Sequence, residues 1–419
     1  MKLWIKILIG LGLGFITGLG MYLFDHYDIS KLEGVKDVLN TVGQAFINLL
    51  KMLVGIMLFS SLVSGICHLH DPKKLSRIGL RTIGFYIITT LIAIGIGVVL
   101  AMIFRPGRGL NYAIPADFIG KAQKVEILDF LLYLIPSNPF AAFAEGNILQ
   151  VIVFAIFFAV AVTLSGEKGK PVLHFIESVL ESMYTLTHFI MKFAPYGVFA
   201  LIAIALGTMG FDAVLPLLKF LMCNYIACLI QIFVIFGLSL RLLAGLEIAP
   251  FFKGMKDAIV LAFSTNSSTA TLPVTLECTR DHLGVSEDIS GFVVSLGSTI
   301  NMNGAAIGQA ISAIFIAEAY NIELSVLKIG ILFFVALISA IGAAGIPGTG
   351  LIMLSVVLNA MGLPLDPLGA FALIAGVDRL REMVSSVVNV LGDAVAAVVI
   401  AQKEKQLDTK KYHHATWLE

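Results

Sequence analysis

Long apolar blocks separated by short polar turns run through the first 245 residues of this chain. A helix crossing a bilayer needs about 20 mostly apolar residues, and the blocks near 4–24, 43–67, 78–104, 127–165, 173–206 and 214–243 each supply them. They predict six membrane helices. The first block ends in Asp25-His26 rather than in a small-residue cleavage site, so it reads as a membrane helix and not as a cleaved leader.

Beyond residue 245 the apolar runs are interrupted by Ser, Thr, Asn and Gly, and glycine-proline turns appear inside them. Two stretches, STNSSTATLP from Ser264 and IGAAGIPGTG from Ile341, lie between apolar arms too short to be ordinary spans. Irregular backbone at membrane depth is tolerated only where protein or a water-filled cavity satisfies it, so these stretches predict the tips of two re-entrant hairpins around a central site. A long segment follows each, 286–320 after the first and 365–402 after the second. The unit of hairpin and helix thus occurs twice, the pattern an inverted repeat would leave, although no residue-level self-similarity accompanies it.

Composition places the whole chain in the membrane: 58% of its residues are hydrophobic and 13% charged, against about 25% charged in ordinary soluble domains. Lys+Arg and Asp+Glu both number 28, which leaves no charge excess for nucleic acid. Lys73, Lys74, Arg77 and Arg81 follow the second span and Lys403, Lys405, Lys410 and Lys411 follow the last, so the positive-inside tendency puts both termini in the cytoplasm of an inner-membrane protein. Cys67, Cys223, Cys228 and Cys278 lack metal or redox spacing and read as buried apolar residues. An intramembrane enzyme would need a nucleophile with a base or a metal cluster, and His68, His70 and His188 lie far in sequence from the serine-rich tips. An ion channel would need a filter-like run of carbonyls, which the sequence does not offer.

The chemistry concentrates in the last segment, where Asp378, Arg379, Arg381, Glu382, Ser385, Ser386, Asn389 and Asp393 interrupt an apolar run. A charge in mid-membrane costs about 2.5 to 3.5 kcal/mol on insertion scales, so these groups must face protein or a cavity. Asp378, Glu382, Ser385, Asn389 and Asp393 share one helical face, whereas Arg379 and Arg381 lie off its centre line. Ion pairs of Asp378 with Arg381 and of Arg379 with Glu382 would explain part of this stripe structurally. Asp393 has no basic residue within a turn, which makes it the candidate cation ligand. The sequence GSTINMNGAA from Gly297 puts a polar, glycine-containing break inside segment 286–320, and unwinding there would free carbonyl oxygens beside Asn301 and Asp393.

These motifs, with IPSNPFAAFAEGNIL from Ile135, FAPYGVFALIA from Phe193, GAAGIPGTG from Gly342 and VNVLGDA from Val388, resemble the glutamate and neutral amino acid transporters, also called dicarboxylate/amino acid:cation symporters, over essentially the whole chain. The resemblance implies an all-α polytopic protein with eight transmembrane helices, two re-entrant hairpins and inverted repeats. It implies a homotrimer working as an elevator, with a scaffold from residues 1–70 and 126–210, a moving part from 71–125 and 211–405, and a cytoplasmic tail at 406–419. Substrate would lie between the tips at Ser267, Ser268 and Gly345, Ile346, Pro347, above Glu382, Ser386 and Asn389 and beside Ala305 and Ser385. No cofactor is implied beyond coupling ions, expected to be sodium. One ion would sit at Asp393 and Asn389 with backbone of Gly297 and Asn301. A second would use Thr299, Met302 and the carbonyls of Ala340, Ile341 and Ala343, and a third Tyr86, Thr89, Thr90 and Asn303.

Four departures from the family pattern bear on the cargo and the coupling ions. Carriers of acidic amino acids have an arginine where Ser385 stands and a threonine where Ala305 stands, so the expected substrate is a small neutral amino acid such as serine, threonine or alanine, as the NMxGAA pattern also suggests. Glu382 and Asn303 each replace a family aspartate. Arg379 and Arg381 keep an acidic amino acid or dicarboxylate as the alternative, provided the helix rotates or the side chains bend inward.

Overall fold

The structure is a computed structural model and describes residues 3–25, 33–69, 77–113, 135–145, 147–342, 348–365 and 369–413. They are almost entirely helical. In chain order the helices are α1 (Leu3–Asp25), α2 (Glu33–Leu69), α3 (Arg77–Phe104), α4 (Pro139–Ala144), α5 (Ile148–Leu164), α6 (Lys170–Met191), α7 (Ala194–Met209), α8 (Val214–Ile230), α9 (Ile248–Gly254), α10 (Lys256–Thr265), α11 (Ser268–Glu277), α12 (Glu287–Ile300), α13 (Asn303–Ala319), α14 (Val326–Gly342), α15 (Thr349–Ala360), α16 (Ala370–Lys403) and α17 (Thr409–His413). Among the described residues five helices are long and apolar enough to cross a membrane, or six if the bent pair α6 and α7 is one span.

That bent pair corrects the reading of 173–206 as one straight span, because the helix breaks at Lys192 and Phe193 and turns by 56°. Pro195 has no amide to donate to Met191 O, and its ring would clash with that carbonyl in a continuous helix. In the block read as 127–165, residues 127–134 lie outside the described residues, and the remainder forms the short α4 and the longer α5. Lys73 and Lys74, used for orientation, also lie outside them.

The helices α1, α2, α5, α6 and α7 pack mainly on one another. Gly10, Gly14 and Gly18, four residues apart on α1, let its backbone touch α7: a Cβ at these positions would lie 2.4, 2.6 and 2.7 Å from the carbonyl oxygens of Pro195, Phe199 and Ala203. Small residues at that spacing allow the close approach on which helix association in lipid depends, since apolar side chains gain nothing by leaving hydrocarbon. The opposite face of α1 exposes Leu13 and Ile16, as a lipid-facing surface should.

The second group surrounds α16, which packs against α8, α10, α11, α12 and α13. Helices α10 and α11 are the two arms of the first predicted hairpin, but its tip is tighter than the ten-residue polar stretch suggested, with only Asn266 and Ser267 outside helix. Asn266 takes a left-handed conformation at φ +55°, which asparagine tolerates, and the Ser267 hydroxyl accepts from the Ala270 amide at 3.0 Å to cap α11. Helices α14 and α15 pack together as the second pair of arms, while Ala343, Gly345, Ile346 and Pro347 lie outside the described residues. The predicted break in segment 286–320 is present, since Asn301 and Met302 leave helical geometry at ψ 71° and 53° between α12 and α13.

The segment after α16 is docked rather than free. Val285 and Leu407 form an isolated antiparallel bridge, the Asp408 amide donates to Gly284 O at 2.9 Å, and the buried Tyr412 hydroxyl donates to Glu247 O at 2.7 Å. Arg81 at the start of α3 pairs with Glu404.

Candidate functional site: a buried polar crevice along α16

Helix α16 carries its polar stripe into the interior, where Asp378, Glu382, Ser385, Ser386, Asn389 and Asp393 are all buried. The break between α12 and α13 lies alongside its inner half. There Asn301 Nδ2 donates to Asp393 Oδ1 at 2.8 Å, and the Gly304 amide, freed by the break, donates to Asn389 Oδ1 at 2.8 Å. Asn389 Nδ2 reaches Met302 Sδ at 3.2 Å, and Ser268 Oγ lies 3.9 Å from the same sulfur. Hairpin tip, helix break and stripe therefore converge on one place.

Gly297 shows how tightly the inner end is built, because a Cβ there would lie 2.2 Å from Asp393 Oδ1 and 2.5 Å from the Tyr86 hydroxyl. Tyr86 donates to Val293 O at 2.8 Å, and Asn301 Oδ1 is buried with no hydrogen-bond partner among the described residues. A buried carboxylate, an orphaned amide oxygen and a phenol oxygen are donors of the type that could hold a hard cation. The third predicted ion group is assembled in part: Thr90 Oγ1 donates to Asn303 Oδ1 at 2.6 Å, and the Thr89 hydroxyl donates to Phe85 O at 2.9 Å. Asn303 supplies an amide there, and its Nδ2 is buried without a partner among the described residues. Of the second group, Thr299 is exposed and donates to Leu296 O of its own helix at 2.9 Å, and Ala343 lies outside the described residues. Met302 and Ala340 are buried, and Ile341 and Ala305 are half-buried.

The outer half of the crevice holds two buried ion pairs. Arg381 donates to Asp378 Oδ1 through Nε at 2.8 Å and Nη2 at 2.5 Å, and Arg379 Nη1 meets Glu382 Oε2 at 3.2 Å. Both pairings were the structural alternative open in the sequence. Glu382 also accepts from the Gly348 amide, at 3.2 Å to Oε1 and 3.3 Å to Oε2.

Of the two expected routes by which Arg379 and Arg381 could reach the polar stripe, helix rotation or inward bending, Arg381 takes the second: its side chain is buried. Arg381 Nη1 lies 3.5 Å from Ser385 Oγ. Space for it comes from glycines on two neighbouring helices: a Cβ on Gly308 of α13 would lie 2.0 Å from Nη1, and one on Gly350 of α15 would lie 2.4 Å from Nη2. Periodicity fixes where a Cβ points, but a long side chain can fill any void that opposing glycines leave. Sequence reasoning missed these two glycines and Gly304, whose Cβ would lie 2.2 Å from Ser385 O. The available signal was the spacing of Gly304 and Gly308, which puts both on one side of α13.

The chain is 35% identical over 414 residues to a proton/sodium-glutamate symport protein of Geobacillus stearothermophilus, covering 97% of this chain and 95% of the relative. It is 36% identical over 417 residues to the proton/glutamate-aspartate symporter of Escherichia coli strain K12, covering 97% and 94%. A C4-dicarboxylate transport protein of Deinococcus deserti is 33% identical over 422 residues, covering 99% and 92%. Residues 3–403 match the sodium:dicarboxylate symporter family, and with relatives this similar over nearly full length the chain belongs to that family.

Proposed function

We propose that this member of a cation-coupled symporter family carries an acidic amino acid or a dicarboxylate, driven by sodium or protons, across a bacterial inner membrane. It is a transporter and not an enzyme. The observation that carries the acidic reading is the Arg381 guanidinium, buried beside Ser385 in a space cleared by Gly308 and Gly350. Ser385 and Ala305 by themselves favoured a neutral amino acid, but a cation reaches the Ser385 hydroxyl from one turn away. The relatives' names, glutamate, aspartate and C4-dicarboxylate carriers, point the same way, so the acidic alternative displaces the neutral reading. A planar guanidinium matches a carboxylate in two-pronged geometry and keeps its charge at every physiological pH.

In this reading the cation enters the inner end of the crevice at Asp393, Asn301 and Gly297, and the substrate occupies the outer end near Ser267, Ser268 and Ser386. The two share Asn389, whose side chain bridges the helix break and the stripe, which supports tight coupling of ion and substrate. Helices α3 and α8 to α16, with their two hairpins, are the candidate moving body, and α1, α2 and α5 to α7 the candidate trimeric scaffold. Uptake into proteoliposomes under a sodium or proton gradient tests the substrate class. Aspartate, glutamate or succinate should displace a labelled acid at a concentration at least tenfold lower than serine does, and serine competing more strongly than all three would reverse the assignment.

A further inference from the structure

We infer that Arg379 is a specificity-determining residue, a tethered cation that occupies the counter-charge place of Glu382 and makes an amino group on the substrate dispensable. The inference rests on the acidic reading above. An ammonium group buried in the crevice needs a carboxylate beside it, because an unpaired buried charge is far less stable than the same charge in water. Helix α16 offers three carboxylates, and each already has a partner. Asp378 is held by Arg381 through Nε and Nη2 at 2.8 and 2.5 Å. Asp393 is held by Asn301 at 2.8 Å, deep beside Gly297 and Tyr86. Glu382 is the one carboxylate at the outer end that a substrate could share, and Arg379 meets it at 3.2 Å with both side chains 9% exposed.

The geometry around Arg379 keeps it there. Its carbonyl accepts from Asn266 Nδ2 at 3.0 Å, so the left-handed tip residue of the first hairpin pins the backbone of α16 at this position. Its guanidinium stays against Glu382, while Nε is buried without a partner among the described residues. An incoming ammonium would therefore share one carboxylate with a guanidinium already in place, and two like charges at a single buried carboxylate repel strongly. Specificity of this kind works by penalising one ligand rather than by rewarding another. A substrate with two carboxylates and no amino group meets no such conflict. For it, Arg381 Nη1 beside Ser385 and the Nε–H of Arg379, which has no partner among the described residues, are the donors that could take an anion.

Competition uptake with the purified full chain in proteoliposomes tests this, with succinate and aspartate as the probes and their inhibition constants compared as a ratio. In the unaltered protein succinate should compete at least as well as aspartate. Arg379→Gln frees Glu382 and should shift the ratio at least tenfold toward aspartate, whereas Arg379→Lys keeps a cation and should leave the ratio within threefold. Aspartate outcompeting succinate tenfold in the unaltered protein would overturn the proposal, and so would a ratio that Arg379→Gln leaves unchanged. If Arg379→Gln does not yield folded protein, the unaltered ratio and the Arg379→Lys ratio still decide it. Serine outcompeting both acids would instead sink the acidic reading itself, a different result from a preference for the amino acid over the plain diacid.

Discussion

Asp393 sits where the helix break, α3 and α16 meet, with Asn301 at 2.8 Å and no ion pair to a basic side chain among the described residues. Asp393→Asn keeps the size and the hydrogen bond while removing the charge. Substrate binding titrated with the coupling ion should show at least a tenfold loss in apparent ion affinity, about 1.4 kcal/mol or more, and an unchanged titration would clear Asp393 of that role. Gly308 tests the opposite end of the crevice, because a methyl group there would collide with Arg381 Nη1. Gly308→Ala should weaken binding of an acidic substrate by about tenfold while leaving ion dependence intact, since losing charge-assisted hydrogen bonds costs about 1.5 to 3 kcal/mol. The stripe of Asp378, Glu382, Ser385, Asn389 and Asp393 was legible in the sequence because polar groups at helical spacing in an apolar run have few places to go. Arg381 was legible only as the basis of the acidic alternative, because the void it fills belongs to α13 and α15, distant in sequence.

At the scale of elements, helix packing rests on backbone contact as much as on side chains. Gly14 of α1 lies against Phe199 O, where a Cβ would come within 2.6 Å, whereas nothing lies within 4 Å of a Cβ added at Gly12. Gly14→Leu should therefore destabilise the protein by about 1 to 3 kcal/mol or more, as overpacked sites do, while Gly12→Leu should change stability by less than about 0.5 kcal/mol. Thermal unfolding of the two variants in detergent measures the difference. The interruptions at Asn266 and Ser267 and at Asn301 and Met302 could be read beforehand, since polar residues and glycine inside an apolar run conflict with an ordinary span. The bend between α6 and α7 could not, because hydropathy averages over Lys192 and Phe193 and passes 173–206 as continuous.

For the molecule as a whole, the last described residues tie together parts that are remote along the chain. Arg81 pairs with Glu404, the Ser286 hydroxyl donates to Gln406 Oε1 at 2.8 Å, and Tyr412 buries its ring and reaches Glu247. The sequence predicts a cytoplasmic tail at 406–419 without showing its contacts, because charge and hydropathy locate the end of a span but say nothing of where a polar segment docks. This strap makes the order of synthesis matter. Its two ends, near 280–287 and 404–412, are more than a hundred residues apart, and the N-terminal end of α3 waits for a partner 323 positions later. Contacts of such long sequence separation form late, after the intervening loop has closed. The base of the first hairpin must therefore remain open to water until the ribosome has released residues 404–412, a stage at which an incomplete chain is most vulnerable to proteases and to mispairing with its neighbours.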